Sequence, residues 1–184
     1  MKMDFEEKVT GHQPVFSGHL IDVEVQDVLT PAGNHATREV VHHAPAVAIL
    51  ALTDDDQMIL EQQWRAPVKQ VTLEIPAGKV DDRDQGDLRA CAVRELNEET
   101  GLAAEHLDQV NATASSVGFS DEVITLFVAR GLRPVDHALP KDQDEELSLL
   151  KVSLKEALEM VATGQIIDMK TVMAIYYWAS QRVN

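Results

Sequence analysis

The sequence has little cysteine and no long apolar run. Cys91 is the only cysteine among the 184 residues, so the chain cannot form an internal disulfide bond. No stretch approaches the roughly 20 apolar residues that a helix needs to cross a bilayer. The first residues, "MKMDFEEKVTGHQ", lack the apolar core of a secretory signal. These absences predict a cytoplasmic protein with no contact to a membrane.

Clustered positive charge is also missing. The formal net charge is -15 at pH 7, from 16 Lys and Arg against 31 Asp and Glu. Nucleic acids are held mainly by clustered Lys and Arg, so a nucleic-acid partner is not expected. The negative charge of an anionic substrate would have to be neutralised within the binding site itself. A divalent cation held by carboxylates is one way to do so.

What is present is the composition of a globular protein, with 45% hydrophobic and 26% charged residues. A chain of 184 residues can form one compact domain, with at most a small appendage. We interpret residues 1–43 as an N-terminal β segment in which residues 19–29 and 36–43 pair as an antiparallel hairpin. Residues 44–184 would form the main domain.

Strand and helix signals alternate along the main domain. Apolar or β-branched runs predict strands at 46–52, 58–65, 71–76, 122–132 and 147–152. A helix should span residues 87–100 and end at Gly101, a residue suited to a left-handed C-terminal cap. Ser153 begins a second helix with a capping-box pattern, and Asp168 begins the last one. This order predicts an α/β sandwich with a mixed sheet, preceded by an N-terminal antiparallel β-hairpin or sheet.

The helix at 87–100 carries three glutamates on the side that should face the core. At about 100° per residue, Glu95, Glu98 and Glu99 continue an apolar stripe that includes Cys91. A solvated helix face is the simpler interpretation of a lone glutamate pair. Three carboxylates at this spacing repel one another, however, at the unfavourable negative end of the helix dipole. A hard cation such as Mg²⁺, bound by these carboxylates, would remove the repulsion between them. The pattern therefore predicts magnesium-dependent phosphate chemistry.

This stretch, "RELNEETGL", resembles the second half of the Nudix box. Every fixed position of that half is matched by Arg94, Glu95, Leu96, Glu98, Glu99, Gly101 and Leu102. Upstream, "LEIPAGK" is similar to the strand and glycine that open the box in ADP-ribose pyrophosphatases. The segments "ATREVVHHAPAVAILAL", "EQQWRAPV" and "GFSDE" are similar to that subfamily in the same order, so the resemblance covers roughly residues 17–180.

The first half of the box departs from the pattern. Fifteen residues separate Gly78 from Arg94, where the pattern has thirteen. Counting back from Arg94 therefore places Gly86 where the first glutamate of the box belongs. We interpret "DDRDQGD" as a two-residue loop insertion in which Asp84 or Asp87 substitutes for that glutamate. The loss should affect loop geometry more than metal binding.

The resemblance implies a Nudix-type α/β/α sandwich that hydrolyses a nucleoside diphosphate linked to another moiety. For ADP-ribose the products would be AMP and ribose 5-phosphate, and the cofactor would be Mg²⁺ or Mn²⁺. Carried over residue by residue, Glu95 and Glu99 would be the principal metal ligands, and Glu98 would share a second metal. The backbone carbonyl of Ala77 would complete the ligand set, and Arg94 would hold the helix and its glutamates in place.

The water-activating residue of this subfamily comes from a late acidic loop. The corresponding candidates are Glu145 first, then Glu146 and Asp144, although a solvated loop would explain the same run of charges.

Val117 stands near where the ADP-ribose subgroup usually carries proline. Another nucleotide sugar or a dinucleotide diphosphate therefore stays open as the substrate.

Four further residues are candidates for substrate binding. Arg38 and Arg65 offer rigid donor forks for phosphate or ribose, and both lie in segments that resemble the subfamily. Glu74 and Glu122 are weaker candidates. For an isolated arginine, a surface role would be the simpler interpretation.

Other conspicuous side chains have simpler explanations. His42 and His43 are adjacent in a predicted strand and should point to opposite faces, so a shared metal ion is not expected. Cys91 should be a small core residue. The aromatic run at 176–178 (Tyr176, Tyr177 and Trp178) could stack on a base, but on an apolar terminal helix it should pack in the core.

Two expectations concern assembly and activity. Related pyrophosphatases are homodimers whose N-terminal strands cross to the partner. The hairpin within residues 17–43 could do this, which would place Arg38 in the partner's site.

A Nudix-derived module that senses a nucleotide sugar without cleaving it is the alternative function. Such modules usually lose box glutamates, and Glu95, Glu98 and Glu99 are all present.

Overall fold

The computed structural model describes residues 5–140 and 146–182. These residues form ten strands, one short 3₁₀ turn at Asp82–Asp84 and three helices. The strands are β1 (Lys8–Ser17), β2 (Ile21–Leu29), β3 (His35–His43), β4 (Ala46–Ala51), β5 (Gln57–Arg65), β6 (Gln70–Glu74), β7 (Ala77–Lys79), β8 (Leu102–Ala114), β9 (Val123–Pro134) and β10 (Leu147–Ser153). The helices are α1 (Leu88–Thr100), α2 (Leu154–Ala162) and α3 (Met169–Ser180), and no helix among the described residues is both long and apolar enough to cross a bilayer.

The chain divides into two compact units. The first comprises the residues up to Pro45 together with Ala114–Val123. Its three-stranded antiparallel sheet has the order β1-β2-β3. The predicted hairpin is confirmed, because β2 and β3 pair in register from Ile21 with His43 to Leu29 with His35. Strand β1 was not predicted, because its residues are mostly exposed and give no apolar alternation.

The second unit comprises Ala46–Thr113 and the residues from Ile124 onward. One of its sheets has the order β7-β4-β9-β8, in which β4 runs parallel to β9 and antiparallel to β7. The other sheet is antiparallel with the order β10-β5-β6. The predicted mixed sheet is therefore confirmed. Strand β4 is buried along its whole length, as its unbroken apolar sequence predicts.

Side chains of β4 alternate between two apolar cores, one on each face of the mixed sheet. On one face Ile49 belongs to a cluster with Cys91 and Leu96 of α1. On the other face Leu50 belongs to a cluster with Trp178 of α3. Helix α1 and helix α3 therefore cover opposite faces of the mixed sheet, which gives the predicted α/β sandwich.

The helix boundaries follow their capping residues. The Asp87 carboxylate accepts from two backbone N–H groups at the start of α1, and Gly101 ends the helix with φ 69°. Ser153 and Glu156 form a reciprocal capping box on α2, and Asp168 caps α3. All three predicted helices are confirmed.

In the second unit, one predicted strand differs from the structure and one strand was not predicted. The strand predicted at 71–76 ends at Glu74, and Ala77–Lys79 forms the separate strand β7 against β4. Pro76 lies between them, where its carbonyl accepts from Ile49 N at 2.8 Å. Strand β8 was missed altogether because its sequence, "LAAEHLDQVNATA", is mostly exposed and lies at the edge of its sheet.

Candidate active site

Helix α1 turns its glutamates inward, as the helical projection predicts. Glu98 is only 8% exposed and Glu99 only 5%, and the side chain of Glu95 is 13% exposed. Charged residues are rarely buried unless other groups hold them. The partners of these carboxylates therefore define the site.

Arg94 connects the carboxylates of this region. Its Nε and Nη2 donate to the two carboxylate oxygens of Asp84 at 2.9 and 2.8 Å, a bidentate pair. Its Nη1 donates to Glu95 Oε1 at 2.6 Å and to Glu98 Oε2 at 2.7 Å. The bonds to Asp84 raise the pKa of Arg94, with Glu95 and Glu98 adding to the effect. The same bonds lower the pKa of the Asp84 carboxyl to about 2, so both groups are ionised at neutral pH.

The loop before α1 explains how the chain accommodates its two extra residues. Asp84 lies six residues after Gly78, which is the spacing of the first box glutamate counted from the glycine. Gln85 and Gly86 then adopt positive φ angles of 52° and 80°. Asp87 is used as the N-cap of α1 instead. Of the two substitutes that the sequence leaves open, Asp84 is therefore the one that contacts Arg94.

Strand β7 positions two of the glutamates through its backbone. The Ala77 N–H donates to Glu99 Oε2 at 3.0 Å. A Cβ added at Gly78 would lie 2.1 Å from the carboxyl carbon of Glu95, so the carboxylate lies directly against the Gly78 backbone. Only glycine leaves room for this contact.

A second arginine reaches the same group of carboxylates. Arg83 Nη1 donates to Glu98 Oε1 at 3.0 Å, so Glu98 lies between two guanidinium groups. Arg83 is fixed in turn by Asp81, which accepts from its Nε at 2.8 Å. Arg83 was not predicted, because the sequence of the loop "DDRD" gives no signal of which side chain turns toward α1.

Cys91 is a buried core residue, as predicted. It has no exposed surface, and its Sγ lies 3.5 Å from the Lys79 carbonyl oxygen and 3.4 Å from Arg94 Nη2. Burial raises the pKa of the thiol to about 12, and the negative charge of Asp84 adds to the rise. The thiol is therefore protonated at neutral pH.

The residues fit a hard divalent cation by their chemistry. Carboxylates and backbone carbonyls are the oxygen ligands that Mg²⁺ prefers, and the Gly78 backbone keeps space for the Glu95 carboxylate. Among the residues that the structure describes, no three His, Cys, Asp or Glu side chains are arranged around a common point. Glu95 and Glu98 face Arg94, and Glu99 faces the Ala77 N–H. A carboxylate has two oxygens, so one bond to an arginine does not exhaust its capacity as an acceptor.

Two substrate-binding candidates of the second unit contact each other. Arg65 donates to both oxygens of Glu74, at 2.7 and 2.8 Å. Glu74 also accepts from Thr72 Oγ1 at 2.6 Å and from Lys170. Burial by itself would raise the pKa of Glu74, but the bonds from Arg65 and Lys170 outweigh it and hold the pKa at about 2. Lys170 was not predicted, because it lies 96 residues from Glu74 in the sequence.

The candidates of the first unit also have ionic partners. Arg38 Nε donates to Glu7 Oε2 at 2.9 Å. Glu122 Oε1 lies 3.3 Å from His43 Nδ1. Their roles toward a substrate stay predictions.

His42 forms part of a separate cluster in the first unit. Its Nδ1 lies 2.6 Å from Asp121 Oδ2, and its Nε2 lies 3.2 Å from Glu24 Oε1. These carboxylates, Asp121 first, raise the pKa of His42. His43 has different partners, as expected for adjacent residues of a strand.

The late acidic loop is only partly described. Glu146 is exposed just before β10. The preferred candidate Glu145 and the third candidate Asp144 lie outside the described residues.

Helix α3 corrects one expectation about its aromatic residues. Trp178 is 1% exposed and packs in the core, whereas Tyr176 is 55% exposed. The buried face of α3 passes through Ala174, Ile175 and Trp178, so position 176 turns outward. The expectation that Tyr176 packs in the core was wrong.

The chain is similar to known proteins of one family. A family model described as NUDIX domain matches residues 42–172. The chain therefore belongs to the NUDIX family, as a Nudix hydrolase that resembles the ADP-ribose pyrophosphatases.

Several relatives match almost the whole chain. The methanol dehydrogenase activator of Bacillus methanolicus is 40% identical, over 94% of this chain and 92% of its own length. The ADP-ribose pyrophosphatase of Bacillus subtilis is 39% identical over the same shares, and that of Mycobacterium tuberculosis is 30% identical over 90% and 78%. A solved structure described as an ADP compounds hydrolase superposes with a TM-score of 0.86 at 21% identity, covering 100% of this chain and 99% of that one, which shows the shared fold.

Proposed function

We propose that this protein hydrolyses the pyrophosphate bond of a nucleoside diphosphate derivative in a Mg²⁺-dependent reaction. ADP-ribose is the first candidate substrate, giving AMP and ribose 5-phosphate. The observation that carries the proposal is the buried group of box carboxylates, in which Glu95 and Glu98 are held by Arg94 and Glu99 by the Ala77 N–H. The Bacillus subtilis relative, named ADP-ribose pyrophosphatase, supports the choice of substrate.

The metal ligands of the proposal are Glu95, Glu98, Glu99 and the carbonyl oxygen of Ala77. When bound there, Mg²⁺ or Mn²⁺ would neutralise charge on the pyrophosphate and lower the pKa of an attacking water. The chain itself supplies the orientation. Arg94 fixes the carboxylates of Glu95 and Glu98, so that little ordering is left to occur when substrate arrives.

The remaining roles follow the sequence predictions. Glu145, Glu146 or Asp144 would orient or deprotonate the attacking water. Arg65 would present its guanidinium to phosphate or ribose, because its side chain is 44% exposed while that of Glu74 is 6% exposed. Glu74 would then act through Arg65, whose position it fixes.

In the first unit, Arg38 and Glu122 are the corresponding candidates. Arg38 is held by Glu7 and Glu122 by His43, so each side chain has a defined position before a substrate binds.

A substrate panel tests the reaction. Release of AMP and sugar phosphate should be measured with ADP-ribose, sugar nucleotides and dinucleoside polyphosphates, with Mg²⁺ and with chelator. ADP-ribose should give the highest kcat/KM. Another nucleoside diphosphate derivative as best substrate would correct the specificity, and no turnover of any of them would overturn the function.

A matched pair of variants tests the metal assignment. Glu99→Gln should abolish Mg²⁺-dependent turnover while its circular dichroism spectrum stays that of the wild type. Glu159→Gln makes the same charge change on the exposed face of α2 and should keep full activity. Near wild-type activity of Glu99→Gln would refute the assignment.

We also propose a homodimer formed through the first unit. Large apolar side chains are exposed there, including Val15, Phe16 and Leu20, and an interface between two copies of the chain would remove such side chains from water. In such a dimer Arg38 would act in the partner's site. A monomer mass by light scattering at micromolar concentration would contradict this arrangement.

A second candidate function is the activation of a methanol dehydrogenase, which the 40% identity to the Bacillus methanolicus relative favours. Adding the wild-type protein to a methanol dehydrogenase assay should raise its rate if this function is present. The inactive Glu99→Gln variant separates activation through hydrolysis from activation through contact alone.

A further inference from the structure

The carboxylate of Glu98 accepts a hydrogen bond from a different arginine on each of its two oxygens. Arg94 Nη1 donates to Oε2 at 2.7 Å, and Arg83 Nη1 donates to Oε1 at 3.0 Å. Glu98 is only 8% exposed, and a carboxylate in such a position is stable only where cations or donors compensate its charge. The protein itself therefore neutralises Glu98 with two guanidinium groups.

The two arginines are held with very different firmness. The side chain of Arg94 is 10% exposed and binds both oxygens of Asp84, which is buried as well. The side chain of Arg83 is 52% exposed and lies on the loop before α1. Arg83 can therefore move away from Glu98 into water without disturbing a core, whereas Arg94 cannot.

Glu98 is also a proposed ligand of the divalent cation. That cation would bring two further positive charges to a carboxylate that Arg83 and Arg94 already neutralise. Repulsion between like charges is stronger at a partly buried site than in bulk water. The more exposed of the two guanidinium groups, that of Arg83, is the one that can relieve this repulsion by moving.

Asp81 lowers the cost of that movement. Its Oδ2 accepts from Arg83 Nε at 2.8 Å and lies 2.7 Å from Arg83 Nη2, and neither of these nitrogens is the one that binds Glu98. Arg83 can therefore give up its bond to Glu98 and still keep an ionised partner.

We propose that Arg83 is an exchangeable counter-ion of Glu98, which neutralises this carboxylate until a divalent cation binds and then leaves it. The inference rests on the proposed role of Glu98 as a metal ligand. Arg83 then competes with the cation, so it lowers the affinity of the site for Mg²⁺. In return it stabilises the buried carboxylate of α1 while no cation is bound.

Calorimetric titration of the full-length protein with Mg²⁺ tests the competition. Arg83→Gln should bind Mg²⁺ about fivefold more tightly than the wild type, the equivalent of about 1 kcal/mol, which is the upper end for an exposed ion pair. Arg133→Gln makes the same charge change on β9, where Arg133 pairs with Glu105 and is 74% exposed. This control should keep the wild-type affinity. Equal or weaker binding by Arg83→Gln would overturn the proposal.

A double-mutant cycle shows whether the effect acts through Glu98. Glu98→Gln should bind Mg²⁺ more weakly than the wild type, and adding Arg83→Gln to it should change the affinity little. If Arg83→Gln tightens binding equally with and without Glu98, its charge acts on the whole site, and the exchange on Glu98 is refuted.

Stability measurements give a second readout that needs no activity. In chelator, Arg83→Gln should unfold at a lower urea concentration than the wild type. At saturating Mg²⁺ this difference should shrink, because the variant binds the cation more tightly and gains more stability from it. A difference of the same size in chelator and in Mg²⁺ would mean that Arg83 stays on Glu98, and the proposal would fail.

Glu99→Gln separates this inference from the metal assignment on which it rests. Absence of Mg²⁺ binding by the wild type, or unchanged binding by Glu99→Gln, would overturn both. Binding that is lost in Glu99→Gln but unchanged in Arg83→Gln would overturn the counter-ion role alone.

Discussion

Asp84 and Arg94 form a bidentate ion pair with donor–acceptor distances of 2.9 and 2.8 Å. Both side chains are almost entirely buried. The pair connects the loop before α1 to the helix that carries the box glutamates. Through it, a loop that differs in length from the box pattern still fixes the arginine that orients Glu95 and Glu98.

Breaking this pair should lower both stability and activity. Asp84→Asn removes the charge that faces Arg94, and we expect a loss of about 2 kcal/mol in the free energy of unfolding, as for a hydrogen bond to a charged group. Urea denaturation measures this loss. Asp82→Asn, in the same loop but exposed, is the control and should change stability little. Equal stabilities of the two variants would show that the Asp84 pair contributes nothing.

The close contact of Gly78 with Glu95 predicts that adding one methyl group at position 78 strongly lowers the activity. Gly78→Ala would place its Cβ 2.1 Å from the Glu95 carboxyl carbon, so the carboxylate must move. A displacement of about 1 Å in an active site can cost about 100-fold in rate. We expect a loss of that order in kcat and a weaker dependence on Mg²⁺.

Gly118→Ala is the matched control for this variant, because its added methyl group meets open space. It should leave the Mg²⁺ affinity, measured by calorimetry, unchanged. If Gly78→Ala binds Mg²⁺ as the wild type does, Glu95 is not a ligand.

The network around Glu74 predicts a pH-dependent contribution to stability. The pKa of Glu74 falls from 4.5 to about 2 on folding, which corresponds to about 3 kcal/mol. Because the folded pKa is the lower one, this stability is present above pH 4.5 and is lost as the pH falls toward 2. Glu74→Gln should therefore be less stable than the wild type at pH 7, with a difference that shrinks in acid.

Urea denaturation at a series of pH values measures this difference. Thr72→Val, which removes one neutral donor to Glu74, should lower stability without abolishing the acid dependence. If Glu74→Gln raises KM and leaves stability unchanged, then Glu74 contacts substrate rather than supporting the fold.

The ion pairs of His42 predict a contribution to the stability of the first unit that has the opposite pH dependence. Asp121 and Glu24 raise its pKa above 6.5, so protonated His42 stabilises β3. Since the folded pKa is the higher one, this stability is fully present below pH 6.5 and is lost as the pH rises through the folded value. Amide hydrogen exchange in β3 should therefore become faster, relative to His42→Gln, as the pH is raised.

Exchange rates must be corrected for their intrinsic dependence on pH before the comparison. His19→Gln, in the turn between β1 and β2, is the control and should keep the wild-type pattern. An identical pH dependence of the wild type and His42→Gln would exclude this role of His42.

The elements that sequence predicted well are those with strong local signals. Strand β4 has an unbroken apolar run, and α1 has Asp87 and Gly101 as its caps. The inward face of Glu98 and Glu99 also follows from helical periodicity alone. Each of these features depends on residues close together in the chain.

What the sequence could not predict depends on distant pairs or on exposed strands. Strands β1 and β8 are mostly exposed, so neither has the apolar alternation that marks a half-buried strand. Lys170 meets Glu74 across 96 residues. The choice of Asp84 over Asp87 required the path of the loop, because both carboxylates lie near the expected position in sequence.

The reaction of Cys91 with a thiol reagent can be used to measure the opening of α1. As the only cysteine, buried and with a pKa of about 12, it cannot react with a thiol reagent while α1 stays packed. Its alkylation rate therefore measures how often the helix of box glutamates leaves the sheet. A ligand or metal that tightens this helix would slow labelling, without any probe having to be introduced.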